Sequence, residues 1–124
     1  MSDPANLTLR ERILAAQDRP FEDVEVPEWG AVVRVLSMSG LDRDRWEAEM
    51  LERNKRPAAE RLANVRASLV ARCSADPATG ERLFADADID ALGAKAARAL
   101  DRVFAVASRL NGLSDADAEQ LAKN

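Results

Sequence analysis

The sequence predicts an α+β fold that is mostly α: an N-terminal helix, a β-hairpin at about 21–36, then a small bundle of helices. Three observations predict it. β-forming residues cluster in one stretch only, PFEDVEVPEWGAVVRVLS at 20–37. Most of the chain beyond that stretch places apolar residues three and four apart, the helical spacing. The chain has 124 residues, no internal repeat and no low-complexity linker, so residues 1–124 read as one domain.

Residues 1–6 have the composition of a frayed terminus. A helix starts at Thr8, with Thr8 and Glu11 in capping-box spacing. Leu9, Ile13 and Ala16 share one face, and Pro20 sets the limit, because the residue before a proline is pushed out of the α region. Val24 and Val26 then alternate with Asp23 and Glu25 as a strand does. Pro27-Glu28-Trp29-Gly30 is a turn, since proline presets φ and glycine accepts a positive one. Ala31–Leu36 is the returning strand, with Val33 and Val35 on one face and Arg34 on the other. A two-stranded ribbon is not stable alone and leaves its margins unpaired. Either Leu83-Phe84 or a partner strand is expected to cover one margin.

Ser39 and Asp42 suit the start of the next helix, which carries Leu41, Trp46, Met50 and Leu51 among many charges. Asn54-Lys55-Arg56-Pro57 interrupts it. A new helix is expected with Pro57 in its first turn and Leu62, Val65, Leu69 and Cys73 on one stripe. Asp76-Pro77-Ala78-Thr79-Gly80 is a turn, and Glu81–Phe84 is a candidate short third strand. A single long helix from Asp86 or Asp88 to about Leu110 comes next, with Ile89, Leu92, Ala96, Ala99, Val103, Val106 and Leu110 as its seam. Intramolecular packing suits that seam better than a dimer coiled coil. Asn111-Gly112 reads as its C-cap, and Ser114 and Asp117 open a short last helix.

Composition narrows function. The net charge is −4, from 22 acidic and 18 basic residues, so a phosphate backbone is repelled on average and no nucleic acid is expected as partner. No run of apolar residues has membrane-spanning length, and no membrane or signal-peptide role is expected. Arginine outnumbers lysine fifteen to three, which reflects a GC-rich genome rather than chemistry. With no histidine and one cysteine, the usual general base and the usual metal-ligand clusters are missing. Asp86, Asp88 and Asp90 resemble the start of a calcium loop, but Ala91 stands where the loop needs glycine, so they read as acids at a helix N-terminus. Cys73 reads as a buried core thiol rather than a nucleophile. No enzyme, cofactor or metal is expected.

Two aromatic residues stand apart. Trp29 sits at a turn tip, either folded back over the hairpin or exposed as an anchor. Trp46 and Met50 lie four apart on a charged helix, either as core or as an adaptable apolar grip.

In sequence order, these features resemble the tail assembly chaperones of long-tailed bacteriophages and prophages. The likeness begins with FEDVEVPEWGAVVRVLSMSGLDRDRWEAE at 21–49: a valine-rich strand, a W-G turn, a V-R-V strand and an S-G break into a charged helix. It continues through 64–124 with an N-V-R-A helix, R-L-F after a turn, a D-I-D-A-L-G segment, an L-N-G-L-S cap and a K-N ending. The turn at 76–80 is longer than the family's compact one. No single motif is catalytic; the order carries the likeness.

The resemblance implies a non-enzymatic chaperone that binds and solubilises the phage tape-measure protein and helps recruit the major tail (tube) protein. It implies action in the cytoplasm of the bacterial host and absence from the mature virion. Independently of the resemblance, a core with only three Phe, two Trp and no Tyr is expected to be finished by partner contacts or by self-association. It also implies a short form preceding a programmed frameshift near Ala122-Lys123-Asn124. Trp29, Val33, Val35, Trp46 and Met50 are then expected to form or border the partner surface. On this reading, alanine at Trp46 and Met50 weakens tape-measure solubilisation and leaves the helical signal intact. A structural tail-completion or head-tail connector protein is the alternative, and an acidic regulatory adaptor a third.

Overall fold

The computed structural model describes residues 6–113; the helix expected from Ser114 lies outside them. Helix α1 (Leu9–Ala15) starts where the capping spacing places it, with the Glu11 N–H donating to Thr8 Oγ1 at 3.1 Å. It ends at Ala16, which is extended, and buries none of its side chains.

Strands β1 (Phe21–Val26) and β2 (Ala31–Leu36) pair antiparallel, with Val24 opposite Val33 and Glu22 opposite Val35. A single 3-10 turn, Pro27–Trp29, joins them and closes at Gly30 with φ 59°, a left-handed position glycine adopts without strain. Alternation sends Val26, Val33 and Val35 into the core. Arg34 faces outward, bonded to Asp23 through Nε at 2.8 Å and Nη2 at 3.1 Å, with its guanidinium 4.2 Å from the Phe21 ring centre.

The third strand is β3 (Ser74–Ala75), antiparallel to β2, and not Glu81–Phe84. The chain passes from helix to strand without a loop, which hides β3 in a helical stripe. Arg82 contributes one bridge to Ala75, and the Leu83 N–H donates to the Ser74 carbonyl at 3.0 Å. The chain itself therefore covers the β2 margin, while β1 remains an edge carrying Glu22, Asp23 and Glu25. Charges on an edge discourage strand addition.

Helix α2 (Gly40–Arg53) starts at Ser39, whose Oγ accepts the Asp42 N–H at 3.2 Å. The helix expected from Pro57 to Cys73 is two pieces, α3 (Ala58–Arg61) and α4 (Val65–Cys73). Pro57 is the cap of α3 rather than its first turn, and Asn64, at φ 60°, breaks the run. Asparagine tolerates that left-handed geometry. The single helix expected to reach Leu110 also divides, into α5 (Ile89–Gly93) and α6 (Ala97–Leu110). Gly93 lies against Asn64, and a Cβ there would collide with Asn64 Oδ1. Helix α6 ends in the expected cap: Gly112 is left-handed, and the Leu113 N–H reaches the Ser108 carbonyl at 2.7 Å.

One core joins these parts. Helices α4 and α6 pack together and α6 crosses the inner face of the sheet. Trp46 and Met50 of α2, Leu69 and Val70 of α4 and Val103 of α6 are fully buried. Ion pairs clamp the hairpin to α6: Glu28 to Arg102 and Glu22 to Arg109, each at 2.8 Å.

Candidate functional site

The five residues expected at the partner surface do not occupy one surface. Val33, Val35, Trp46 and Met50 are buried in the core. Trp29 is half-buried and packs against the same core. The core alternative for Trp46 and Met50 is the one the structure takes. Truncating that pair would open a hole in the core, so a double alanine variant is expected to lose stability before it reports on binding.

Trp46, Met50 and Arg53 form one stripe of α2, and below the two apolar residues that stripe is ionic. Arg53 is only 5% exposed. Its Nη1 donates to the Ala63 carbonyl and its Nη2 to Glu49 at 3.3 Å. Glu49 also accepts Ser68 Oγ at 2.9 Å and lies 3.6 Å from Arg72. Arg72 reaches Asp86 at 3.6 Å, and Asp86 pairs with Arg82 at 2.8 Å. Hydrogen bonding to Arg82 holds the Asp86 carboxyl below its usual range. One carboxylate, Glu49, thus serves two buried guanidinium groups and ties α2 to α4.

A cleft of about 340 Å³ lies on another side, between the α3–α4 corner and the first half of α6. Leu62, Val65, Leu100 and Phe104 supply its apolar lining, and Arg66 and Lys95 its cations. The Arg66 guanidinium lies 5.9 Å from the Phe104 ring centre and 3.3 Å from Asp101. Leu62 remains 46% exposed at the cleft. Sequence reasoning missed this site because it kept Leu62 in a continuous stripe with Val65 and Leu69. The break at Asn64 turns Leu62 out of that stripe, and that asparagine was the only sequence signal.

The other acids of the calcium-loop-like run and the single thiol are held by protein partners. Asp88 Oδ2 accepts the Ala85 N–H at 2.8 Å, and Asp90 accepts from Asn64 Nδ2 at 2.9 Å. Cys73 is buried, and burial pushes its thiol up to about 11, although Asn111 Nδ2 donates to its sulfur at 3.4 Å. The folded thiol is therefore expected to resist a thiol-specific reagent at pH 8 and to react once urea unfolds the chain. A thiol raised by folding stabilises the fold fully below its unfolded value near 9, and that contribution fades as pH climbs toward 11. An alkaline denaturation series on wild type and Cys73→Ala checks the sign: the wild type should lose its advantage only above about pH 9.

No protein-family model and no curated protein sequence matches the chain. Among solved structures, the bacteriophage HK97 tail assembly chaperone is similar, with a TM-score of 0.53 and 19% identity. The match covers 78% of this chain and 95% of that one. The hairpin-and-helix order that resembles phage tail assembly chaperones in sequence is thus matched in three dimensions, and the chain has the fold of the HK97 tail assembly chaperone.

Proposed function

We propose that this protein is a non-enzymatic chaperone of bacteriophage tail assembly. It binds apolar helical segments of the tape-measure protein in the host cytoplasm, keeps them soluble, helps recruit tail-tube subunits and leaves before the virion is complete. The fold shared with the HK97 tail assembly chaperone is the observation that carries this reading. The order of motifs along the sequence supports it from a second direction.

The α4–α6 cleft is the docking site that best suits such a segment. It offers a concave apolar floor with cations beside it, the arrangement by which a groove grips a helix that buries bulky side chains. Trp29, half-buried at the hairpin tip, is the one of the five residues first singled out that a partner can still touch. Val33, Val35, Trp46 and Met50 support the partner surface from within.

Leu62→Asp tests the assignment, because an exposed leucine contributes little to the core. Titration with helical tape-measure peptides from the same phage is expected to show affinity at least about tenfold weaker for Leu62→Asp at unchanged helical content. Equal affinity in a folded variant removes the cleft from the reading. Mass spectrometry of purified virions separates the chaperone from a head-tail connector or tail-completion protein: the chaperone is absent from the particle and a connector is present.

A further inference from the structure

The α4–α6 cleft differs in charge from the chain that carries it. The protein is net −4, yet the charged residues lining the cleft are Arg66 and Lys95, with no acid beside them in the lining. Lys95 is exposed and makes no ion pair among the described residues. Arg66 meets Asp101 at 3.3 Å, with both side chains more than half exposed. Such an open pair holds little energy and yields to a competing carboxylate. Two acids touch lining residues, Asp101 at Arg66 and Asp90 at Asn64, and neither lines the cleft.

The backbone adds to this field. Helices α4 and α6 both begin at the cleft, where Val65 and Ala97 belong to the lining. Neither N-cap residue, Asn64 or Ala96, caps its helix with a side chain, and neither first turn holds an acid. Helix α2 is the contrast, with Ser39 as its cap and Asp42 in its first turn. Helix N-termini carry partial positive charge and N–H groups without intrahelical partners. Side chains and backbone therefore favour negative charge beside an apolar floor. A nucleic-acid phosphate fits worse: the net charge repels a polyanion, and the floor of Leu62, Val65, Leu100 and Phe104 calls for bulky apolar groups.

We propose that the cleft selects apolar helical segments carrying Glu or Asp one turn from their anchoring side chains, with Lys95 and Arg66 receiving the carboxylates. This selectivity rests on the cleft being the docking site of the proposed function, and it adds which segments enter. Residues three and four apart share a helix face, so an acid at that spacing reaches the rim when its apolar neighbour is seated. A lysine at the same position meets Lys95 and Arg66 as like charges. Rim charges act on selection and encounter more than on raw affinity. Acid-flanked apolar stretches of one long partner chain are then bound, and basic-flanked stretches are passed over.

Fluorescence anisotropy of the full chain with two helical peptides tests it. Both peptides are acetylated and amidated and share one leucine stripe; glutamates flank the stripe in one and lysines in the other. The wild type should bind the glutamate peptide at least about tenfold more tightly, with the gap shrinking as salt is raised. The net charge of −4 by itself favours the lysine peptide, so only a local field gives this result. Lys95→Glu, at an exposed position, should narrow the preference by at least about fivefold. Arg10→Glu makes the same change of net charge on α1, outside the cleft lining, and should leave the preference intact. Equal binding, a preference for lysine, or equal effects of Lys95→Glu and Arg10→Glu overturns the proposal. So does binding of neither peptide, as when another part of the chain or a second copy fills the cleft. Tape-measure peptides that depend on Leu62 but ignore peptide charge overturn the selectivity alone and leave the docking site standing.

Discussion

Trp46→Ala is expected to lower unfolding stability by about 3–5 kcal/mol, the range for emptying a large aromatic site in a core. The indole is fully buried and belongs to the same cluster as Met50, Leu69 and Val103. Small domains have only about 5–15 kcal/mol in total, so the variant should unfold at a much lower urea concentration. The indole N–H finds no acceptor among the described residues, so the loss is one of packing rather than of a hydrogen bond. Urea titration followed by circular dichroism measures it. A midpoint shift with unchanged slope is the expected result, and a change below about 0.5 kcal/mol would mean that Trp46 is not core.

Glu49→Ala is expected to be comparably severe, at about 3 kcal/mol, because it leaves buried Arg53 without a counter-charge and Arg72 with Asp86 alone. Arg53 and Arg72 have side chains only 6% and 8% exposed, and Glu49 lies within 3.6 Å of both. The carboxylate itself is 25% exposed, which places the cost at the lower end of the range for broken buried pairs. Glu49→Gln keeps an acceptor for Ser68 Oγ and should cost less than the alanine variant. A Glu49→Gln variant as stable as the wild type would show that the charge of Glu49 is not what holds α2 against α4. Hydrogen exchange adds a local readout: α2 amides should lose more protection than those of α6.

The hairpin was legible because its signals are local and agree. Alternating valines, a Pro-Glu-Trp-Gly turn and a second alternating run specify the same register from three directions. The caps at Thr8, Ser39 and Gly112 were legible for the same reason, each needing only a few adjacent residues. The helix breaks were not. Asn64 and Gly93 are far apart along the chain yet meet in space at the two helix breaks, and a Cβ at Gly93 would collide with Asn64. Either residue read alone is compatible with a continuous helix, and the alanines after Gly93 favour one. Strand β3 was hidden because two residues are too few for alternation to show.

Which side of α2 faces the core was not legible. Sequence pattern identified Trp46 and Met50 as unusual on a charged helix. It could not decide which side of α2 faces inward, because Leu41 and Leu51 form an opposing apolar stripe of similar strength. The charged residues decide it: Glu49 and Arg53 accompany Trp46 and Met50 inward only because Arg72 and Ser68 of α4 receive Glu49 and the Ala63 carbonyl receives Arg53. Such a choice depends on residues from another element and leaves no trace in local periodicity.

A chaperone for the tape-measure protein must change that protein's solubility. Co-expression of the tape-measure protein of the same phage, with and without this chain, measures it most directly as the fraction recovered in the soluble lysate. The expected result is aggregation of the tape-measure protein alone, a soluble complex with the wild-type chain, and a return toward aggregation with Leu62→Asp. A tape-measure protein that stays insoluble beside abundant, folded wild-type chain would contradict the chaperone role.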